Sequence, residues 1–422
     1  MRTYLIETLG CKANLYDSRR LAEALEAMGL RRARTGEQAD VCVVNTCTVT
    51  AGADRKSRQQ AARLGREHPD ARVFVTGCYA SLCPEELRAV PGVQSVYGRE
   101  QWSALLEEIN GGPLPGGVSP EGEFGVSGFG GRTRAFMKVQ EGCDAGCSYC
   151  ILPRVRGAPR SRPLEDALAE AGRLVEAGFR EIVLTGIHLG LYGRDLAEEA
   201  ALADLVTALA GLSRLERLRL SSIEALEVSP ELLQAMAAAP DVVCPHLHLP
   251  LQSGDAGVLK RMNRPYTPEE FLDVVDVVRR TLNRPAVTTD VMVGFPGETE
   301  EAFANTMALC RRVCFSRMHV FPFSARPGTP AAGMAEEVPP EVASERSQRL
   351  RELGRELAAE WAESFVGSTA RVLLERHQDG WLRGYTDRYV GLGVPGEPEL
   401  TGRAVRVRVV GREGTSLLGR LP

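Results

Sequence analysis

Three cysteines in one short stretch are the residues of this chain best suited to chemistry. Cys143, Cys147 and Cys150 form a CxxxCxxC pattern in EGCDAGCSYCILP, directly after a predicted strand. Three thiolates on one loop can hold an iron–sulfur cubane, because soft sulfur ligands suit iron. The fourth iron then remains open to a substrate. The alternatives are a zinc site, which normally needs four protein ligands, and cysteines buried only for packing.

A second set of cysteines is dispersed in the sequence but shares one position in the predicted fold. Cys11, Cys47 and Cys78 each follow an apolar strand, in YLIETLGC, VCVVNTC and VFVTGC. The carboxyl ends of parallel strands meet at one edge of a sheet, where ligands collect. We therefore predict a second three-cysteine cluster, with three buried packing cysteines as the alternative. Core packing is expected for the remaining cysteines: Cys42, Cys83, Cys244, Cys310 and Cys314.

The elements that must position the second set lie in residues 1–112. Short apolar runs alternate there with helical periodicity, which predicts a doubly wound parallel α/β domain. The predicted strands are Arg2–Glu7, Asp40–Asn45 and Arg72–Thr76, and the predicted helices are Tyr16–Met28 and Asp54–Glu67. A stretch rich in Gly and Pro, residues 113–131, is predicted to be a linker.

Residues 132–360 repeat a strand and a helix six times, which predicts a partial (β/α)6 barrel of the TIM type. The predicted strands are Ala135–Val139, Glu181–Thr185, Arg217–Ser221, Cys244–Leu251, Val287–Val293 and Met318–Phe323. The clearest helical patterns are Leu164–Ala177, Pro268–Leu282, Glu300–Val313 and the amphipathic stretch Pro340–Phe365. Residues 361–422 change to short strands with glycine turns, which predict a small antiparallel β-barrel.

The composition is that of an ordinary globular protein with several domains. The 422 residues exceed one compact core, and the net charge of −4 excludes a protein that is basic throughout. From Phe365 onward, however, nine Arg face six acidic residues. Eleven cysteines are not typical of a disulfide framework in a cytosolic protein. We recognise no secretory signal and no membrane-spanning run, so a cytoplasmic protein is expected.

The motifs around both cysteine sets resemble those of the radical S-adenosylmethionine (SAM) methylthiotransferase family. The CxxxCxxC spacing with an aromatic residue, Tyr149, before its last cysteine is similar to the radical SAM motif. TLGCKANLYDS, NTCTVTAGADRKSRQ and TGCYASL resemble the three N-terminal cysteine motifs of the family. The similarity continues through PLQSGDAGVLKRMNRPYT and MHVFPFSARPGTPA to the C-terminal barrel. It therefore covers essentially the whole chain.

The resemblance implies two 4Fe-4S clusters and two roles for SAM. The open iron of the CxxxCxxC cluster would chelate SAM, which is cleaved to a 5′-deoxyadenosyl radical. The N-terminal cluster would carry sulfur, which a first SAM methylates. Candidate SAM contacts are Tyr149 and residues at the ends of barrel strands, namely Gly186, Ser221, Glu224, His248 and Gln252. For His248 and its neighbour His246, a satisfied buried pair is the alternative.

The C-terminal barrel resembles a TRAM domain, which binds tRNA. Arg406 and Arg408 share one face of a predicted strand. Trp381, Tyr385 and Tyr389 could stack on unpaired bases. The predicted RNA contacts are Arg383, Arg388, Arg403, Arg406, Arg408 and Arg412. A solvated basic strand face is the alternative.

Two short motifs indicate the substrate. LGCKAN and NTCTVT resemble the branch that acts on N6-threonylcarbamoyladenosine at tRNA position 37, although Ala13 stands where valine is expected. The resemblance implies methylthio insertion at carbon 2 of that nucleoside in the anticodon stem-loop. Its implied partners are a sulfur donor and a low-potential electron donor such as flavodoxin or ferredoxin. Alternative substrates are N6-isopentenyladenosine in tRNA and a ribosomal protein. Functions of another class are an iron–sulfur electron carrier and an RNA-binding scaffold with structural zinc.

Overall fold

The chain folds into two compact units. The computed structural model describes residues 1–116, 125–129, 133–197 and 200–422. Unit 1 comprises Met1–Gly128, Glu141–Arg160 and Ser324–Thr329, and unit 2 comprises Phe129–Gln140, Ser161–Phe323 and Pro330–Pro422. The predicted linker, 113–131, falls mostly outside the described residues. The boundaries assigned at 112, 131 and 360 remain predictions.

Unit 1 contains a five-stranded parallel sheet, and its strand order is β2-β1-β3-β4-β5. The strands are β1 (Thr3–Thr8), β2 (Arg31–Arg32), β3 (Val41–Thr46), β4 (Arg72–Gly77) and β5 (Val93–Val96). The helices are α1 (Lys12–Ala27), α2 (Ala51–Glu67), α3 (Cys78–Leu82), α4 (Pro84–Arg88) and α5 (Trp102–Asn110), with α6 (Leu152–Arg156) joining from the later segment. The three predicted strands and both helices are present.

Alternate residues of the strands supply two separate cores, as expected when both faces of a sheet are covered. Val43 and Phe74 pack with α1 and α5 on one face, whereas Val44 and Val75 pack with α2 and α4 on the other. Helix α2 begins three residues before the predicted start, because the Thr50 hydroxyl accepts a hydrogen bond from the amide of Ala53 at 3.1 Å. The prediction of a doubly wound α/β domain is confirmed.

Unit 2 contains the six parallel strands of a partial barrel. The strands are β6 (Arg134–Lys138), β9 (Glu181–Thr185), β10 (Arg217–Leu220), β11 (His246–His248), β12 (Ala286–Val293) and β13 (Arg317–Pro322). Two two-residue strands, β7 (Gln140–Glu141) and β8 (Arg160–Ser161), lie between them in sequence. The orders β6-β9-β10 and β11-β12-β13 are joined by the bridges Leu218–Val243 and Ser222–His248.

Strand β11 is shorter than the predicted Cys244–Leu251. Pro245 and Pro250 flank it, and proline cannot donate to a ladder. The helices of unit 2 are α7 (Leu164–Glu176), α8 (Leu202–Ala210), α9 (Pro230–Ala238), α10 (Ala256–Arg261), α11 (Pro268–Thr281), α12 (Glu300–Val313) and α13 (Pro340–Glu363). In the described part of the chain, no helix is long and apolar enough to cross a membrane.

The C-terminal residues of unit 2 form a closed β-barrel in the order β14-β15-β16-β18-β17. Its strands are β14 (Thr369–Gln378), β15 (Trp381–Thr386), β16 (Gly391–Pro395), β17 (Ala404–Glu413) and β18 (Ser416–Arg420). Alternate side chains such as Val372, Leu374, Val407 and Val409 fill its interior. The predicted small barrel is confirmed, and β16 and β18 are its one parallel pair among these strands.

Within unit 2, buried arginines of β10 hold the turn between β15 and β16. Arg217 donates to the carbonyl of Tyr385 at 3.0 Å, and Arg219 donates to the carbonyl of Asp387 at 2.8 Å. Both guanidinium groups also face the Glu181 carboxylate, at 3.2 and 2.9 Å. The amino-terminal end of the partial barrel is thus a buried charged layer against which the small barrel packs.

Candidate functional site

The N-terminal cysteine set gathers at the carboxyl edge of the unit 1 sheet. Cys11 precedes α1, Cys47 follows β3, and Cys78 is the first residue of α3. Gly10 adopts φ +97°, and a Cβ there would lie 2.8 Å from Cys47 Sγ. Only glycine therefore allows this close approach of the first loop to Cys47. The predicted convergence of the three strand ends is present.

Two polar side chains hold these loops together. The Asn14 amide donates to the carbonyl of Leu9 at 2.7 Å and to that of Thr46 at 3.0 Å, so it ties the loop after β1 to the end of β3. The Thr46 hydroxyl donates to the carbonyl of Thr76 at 2.6 Å and accepts from the amide of Ala80 at 3.2 Å. These bonds fix the three cysteine-bearing loops relative to one another.

The thiols of this set influence one another electrostatically. Burial, with smaller contributions from the neighbouring Cys11 and Cys78, raises the pKa of Cys47 to about 11, although a backbone hydrogen bond from Val49 acts in the opposite direction. Burial also raises the pKa of Cys78, while Arg156 and Arg99 act in the opposite direction. Cys47 and Cys78 are 7% and 3% exposed, whereas Cys11 is exposed. A metal or another positive group would be required to hold these buried thiols as thiolates.

The CxxxCxxC loop belongs to unit 1 as well. The amide of Cys143 donates to the carbonyl of Gly157 at 3.0 Å, and the amide of Cys150 donates to that of Cys147 at 3.1 Å. Gly142 adopts φ +75°, where a Cβ would lie 2.7 Å from the carbonyl oxygen of Gly157. The three cysteines and Tyr149 are all half-buried.

The segment that follows this loop packs against the other cysteine set. Ile151 and Val155 form one buried apolar cluster with Cys78, and Leu82 and Leu152 cover it. The two cysteine sets, which are up to 139 residues apart in sequence (Cys11 to Cys150), are thus neighbours in one unit. In the described residues no three His, Cys, Asp or Glu side chains converge as they would on a single metal ion. Each thiolate of a cubane binds a different iron, so such convergence is not a requirement for a cluster.

A buried ionic network lies beside Cys78, and sequence reasoning missed it. Arg156 contacts Asp17 at 2.9 Å and Glu141 at 3.1 Å, and Arg99 contacts Glu141 at 2.9 Å. Burial alone would lower the pKa of Arg156, but Cys78, Glu141 and Asp17 hold it well above the ordinary value. The sequence does show charged residues beside the cysteine motifs, but their burial cannot be inferred from their spacing.

A second ion pair in unit 1 lies next to Cys47. Arg326 donates to Asp54 at 2.6 Å and to the Thr48 hydroxyl at 2.7 Å. Asp54 and Arg326 border a cavity of about 540 Å³. Its lining also includes Arg58, Leu82, Cys83, Glu86 and Arg154. Arg326 belongs to the SARPGTP stretch, whose role could not be derived from its residue types alone.

The SAM contacts predicted in unit 2 lie at the carboxyl ends of the barrel strands. Gly186 directly follows β9, and Ser221 directly follows β10. The buried atoms Ser221 Oγ and Gln252 Oε1 have no hydrogen-bond partner among the described residues, and Gln252 adopts φ +62°. Such orphaned acceptors fit a polar ligand. Glu224, by contrast, is paired with Arg264.

His248 belongs to a polar array on three neighbouring strands. It contacts the Thr288 hydroxyl at 3.0 Å and Asp290 at 3.4 Å, and Asp290 contacts His319 at 3.2 Å. Burial would raise the pKa of Asp290, but hydrogen bonds from both histidines hold it well below the ordinary value. The hydrogen bond to Asp290 raises the pKa of His319. His246 also contacts Thr288, at 3.1 Å.

The arginines predicted to bind RNA fall into two groups. Arg383, Arg403, Arg406 and Arg408 are exposed on the small barrel. Arg388, however, donates to the carbonyls of residues 283 and 284 at 2.9 and 2.8 Å. Similarly, Arg412 is paired with Glu363 at 2.6 Å. These last two side chains are engaged by the protein itself.

Two of the three aromatic candidates for base stacking pack inside unit 2. The rings of Tyr385 and Tyr389 stack with centroids 4.9 Å apart. The guanidinium groups of Arg134 and Arg219 lie 5.6 and 5.0 Å from the Tyr389 ring. Trp381 packs over Gly393. Tyr385 and Tyr389 thus contact other side chains of unit 2, and the contacts of RNA with the arginines and aromatic rings stay a prediction.

The sequence profiles of two families match the chain. The Radical SAM superfamily matches residues 137–310, and the Uncharacterized protein family UPF0004 matches residues 3–98. Two relatives are named threonylcarbamoyladenosine tRNA methylthiotransferase MtaB. The protein from Bacillus subtilis is 40% identical to this chain, and the alignment covers 97% of this chain and 94% of the relative. The protein from Thermotoga maritima is 37% identical, and the alignment covers 98% of this chain and 96% of the relative.

A relative with another name and a solved structure also match. The tRNA-2-methylthio-N(6)-dimethylallyladenosine synthase of Aquifex aeolicus is 33% identical and covers 100% of this chain and 98% of its own. The radical SAM methyltransferase TsrM from Kitasatospora setae, solved with cobalamin and a [4Fe-4S] cluster, aligns with TM-score 0.55 at 17% identity, over 78% of this chain and 74% of that chain. This likeness concerns the fold alone. From the relatives that match over nearly their full lengths, the chain belongs to the tRNA methylthiotransferase family of radical SAM enzymes.

Proposed function

We propose that the enzyme inserts a methylthio group at carbon 2 of N6-threonylcarbamoyladenosine at tRNA position 37, with two SAM molecules and two 4Fe-4S clusters. The observation that carries the proposal is the packing of the segment after Cys150 against Cys78, which brings two cysteine sets into one unit. The MtaB-named relatives support the choice of nucleoside. Radical SAM enzymes use SAM and 4Fe-4S clusters.

The donor sets fit two clusters. Cys143, Cys147 and Cys150 would hold one, on a loop closed by the hydrogen bond between Cys143 and Gly157. Cys11, Cys47 and Cys78 would hold the other, at the sheet edge. When bound, the cluster at Cys143, Cys147 and Cys150 would supply the electron that cleaves SAM to a 5′-deoxyadenosyl radical. The cluster at Cys11, Cys47 and Cys78 would supply the iron site that carries the sulfur to be inserted.

Residues of the chain itself would bind and orient SAM. Tyr149 lies in the CxxxCxxC loop directly before Cys150, and Gly186 lets the backbone turn directly after β9. The orphaned acceptors Ser221 Oγ and Gln252 Oε1 would receive the polar groups of SAM. His248 would contribute through a ring that Thr288 and Asp290 already orient, and Glu224 would act through the Arg264 that it holds.

The small barrel would bind tRNA through its exposed arginines. On β17, Arg408 lies opposite Arg420, and both of these residues and Arg406 are exposed. Like charges across a strand pair are unfavourable unless a polyanion neutralises them. Together with Arg383 and Arg403 these residues form the proposed contact with the anticodon stem-loop. We expect the enzyme in the cytoplasm, where tRNA is, served by a low-potential electron donor and a sulfur donor.

N6-isopentenyladenosine remains a second candidate, because the dimethylallyladenosine synthase from Aquifex aeolicus matches the entire chain. Nucleoside analysis of tRNA from a deletion strain decides between them. We expect loss of the methylthio group on threonylcarbamoyladenosine only, restored by the intact gene. Loss on isopentenyladenosine would select the second candidate, and unchanged tRNA would point to a ribosomal protein.

Metal analysis tests the two-cluster part of the proposal and the non-enzyme alternatives. Anaerobically reconstituted protein should contain about eight irons per chain. Cys147→Ala should abolish formation of 5′-deoxyadenosine, whereas Cys11→Ala should retain it but yield no methylthio nucleoside. Cys314→Ser, at an exposed cysteine outside both sets, is the matched control and should change neither. Zinc without iron would refute the proposal.

A further inference from the structure

One guanidinium group links the two cysteine sets. Arg156 has no exposed side-chain surface. Its Nε donates to Cys78 Sγ at 3.3 Å, its Nη1 donates to Asp17 at 2.9 Å and to Glu141 at 3.1 Å, and its Nη2 donates to Asn14. Four acceptors from three separate segments thus converge on one side chain.

The acceptors of Arg156 come from segments next to both cysteine sets. Asn14 and Asp17 lie in the first turns of α1, just after Cys11, and Glu141 lies two residues before Cys143. Arg156 itself ends α6, six residues after Cys150. The side chain therefore belongs to the radical SAM segment but contacts a cysteine of the N-terminal set.

Arg156 contacts sulfur as well as carboxylates. Arg99 and Arg156 both face Asp17 and Glu141. The Asp17 and Glu141 carboxylates lie against these buried cations. Arg156 Nε is an N–H donor to Cys78 Sγ, whereas the thiol's contact with Asn14 Oδ1, at 3.9 Å, supplies no donor to sulfur. An N–H donor to a cluster ligand stabilises the more negative, reduced state.

We propose that Arg156 is a positioning residue that fixes Cys78 through an N–H···S bond and raises the reduction potential of the N-terminal cluster. This inference rests on the proposed function, which places a cluster at Cys11, Cys47 and Cys78. A residue of the radical SAM segment thereby sets a property of the other site. Lysine cannot replace it, because one ammonium group lacks the fork that serves four acceptors.

A redox titration tests the proposal without an activity assay. In the full chain with Cys143→Ala, Cys147→Ala and Cys150→Ala, only the N-terminal cluster should contribute to the EPR signal of the reduced protein. Adding Arg156→Gln should shift its midpoint potential downward. The matched control is Arg99→Gln, which removes a cation from the same network but no bond to sulfur, and it should shift the potential less. Equal shifts in the two variants, or none in Arg156→Gln, would overturn the proposal.

A second measurement detects the N–H···S contact directly. Protein labelled with 15N-arginine, in the same triple-alanine background, should show an arginine nitrogen coupled to the reduced cluster in pulsed EPR. Arg156→Lys should abolish that coupling. Absence of an arginine coupling in the labelled protein would refute the N–H···S contact. Failure to assemble any cluster in this background would instead refute the proposed function, so the two outcomes are distinguishable.

Discussion

The buried charge layer of the partial barrel offers a quantitative prediction. Glu181 is 1% exposed and is the carboxylate that faces Arg217 at 3.2 Å and Arg219 at 2.9 Å, which are also 1% exposed. Replacing Glu181 with Gln leaves two buried guanidinium groups without this counter-charge. Removing one partner of a buried pair costs about 3–5 kcal/mol. Because Gln can still accept one hydrogen bond, we expect a loss of about 3 kcal/mol in the free energy of unfolding.

Urea denaturation of unit 2 is the appropriate assay. The chain has three tryptophans, and Trp361 and Trp381 belong to unit 2. In a Trp102→Phe background the fluorescence therefore reports that unit. Glu176→Gln, at an exposed position on α7, is the matched control and should change stability by less than about 0.5 kcal/mol.

The dependence on pH gives an independent check. Burial would raise the pKa of Glu181, but Arg219, Arg217 and Arg134 hold it below the ordinary value. A lowered carboxyl pKa contributes stability above the unfolded value, about 4.3. The stability difference between parent and Glu181→Gln should therefore be constant near neutral pH and shrink as the pH falls through the folded pKa. A difference as small as that of the control, or one that grows in acid, would refute the reasoning.

Two further predictions concern the RNA face and the histidine array. Arg406→Ala combined with Arg408→Ala should lower the salt dependence of tRNA binding, as measured by fluorescence anisotropy. The slope of log affinity against log salt concentration should be smaller by about 1.8, and the loss of affinity should be largest at low salt. An unchanged slope would place the RNA elsewhere. Asp290→Asn should lower the pKa of His319, which Asp290 raises, and NMR titration of 13C-labelled histidines can follow it because the chain has six; an unchanged pKa would show that the hydrogen bond is not the cause.

Local sequence patterns were sufficient for the fold class and for the gathering of the N-terminal cysteines. Apolar runs identified β1, β3 and β4, and the position of Cys11, Cys47 and Cys78 after those runs fixed their common edge. Strands β2 and β5 were missed, because they have two and four residues and no continuous apolar run. Short edge strands depend on the neighbour they pair with rather than on their own sequence.

Long-range burial could not be derived in the same way. The sequence placed the CxxxCxxC loop with the barrel strand that precedes it, whereas its contacts belong to unit 1. Arg156 gives no local sign of burial, because arginine is normally exposed and its partners are distant in sequence. Likewise, Tyr389 resembled a base-stacking residue, but its packing against Arg219 depends on the docking of the small barrel.

The attachment of the small barrel has an evolutionary consequence. Arg217 and Arg219 recognise main-chain oxygens of the turn at residues 385–387, and every amino acid supplies that group. Substitutions in the turn can therefore leave these hydrogen bonds intact, provided that the backbone path is retained. A lineage could thus exchange the RNA-contacting surface, or acquire a different barrel with the same turn, while the catalytic half stays unchanged. Chimeras joined within α13 would be a practical route to altered tRNA preference.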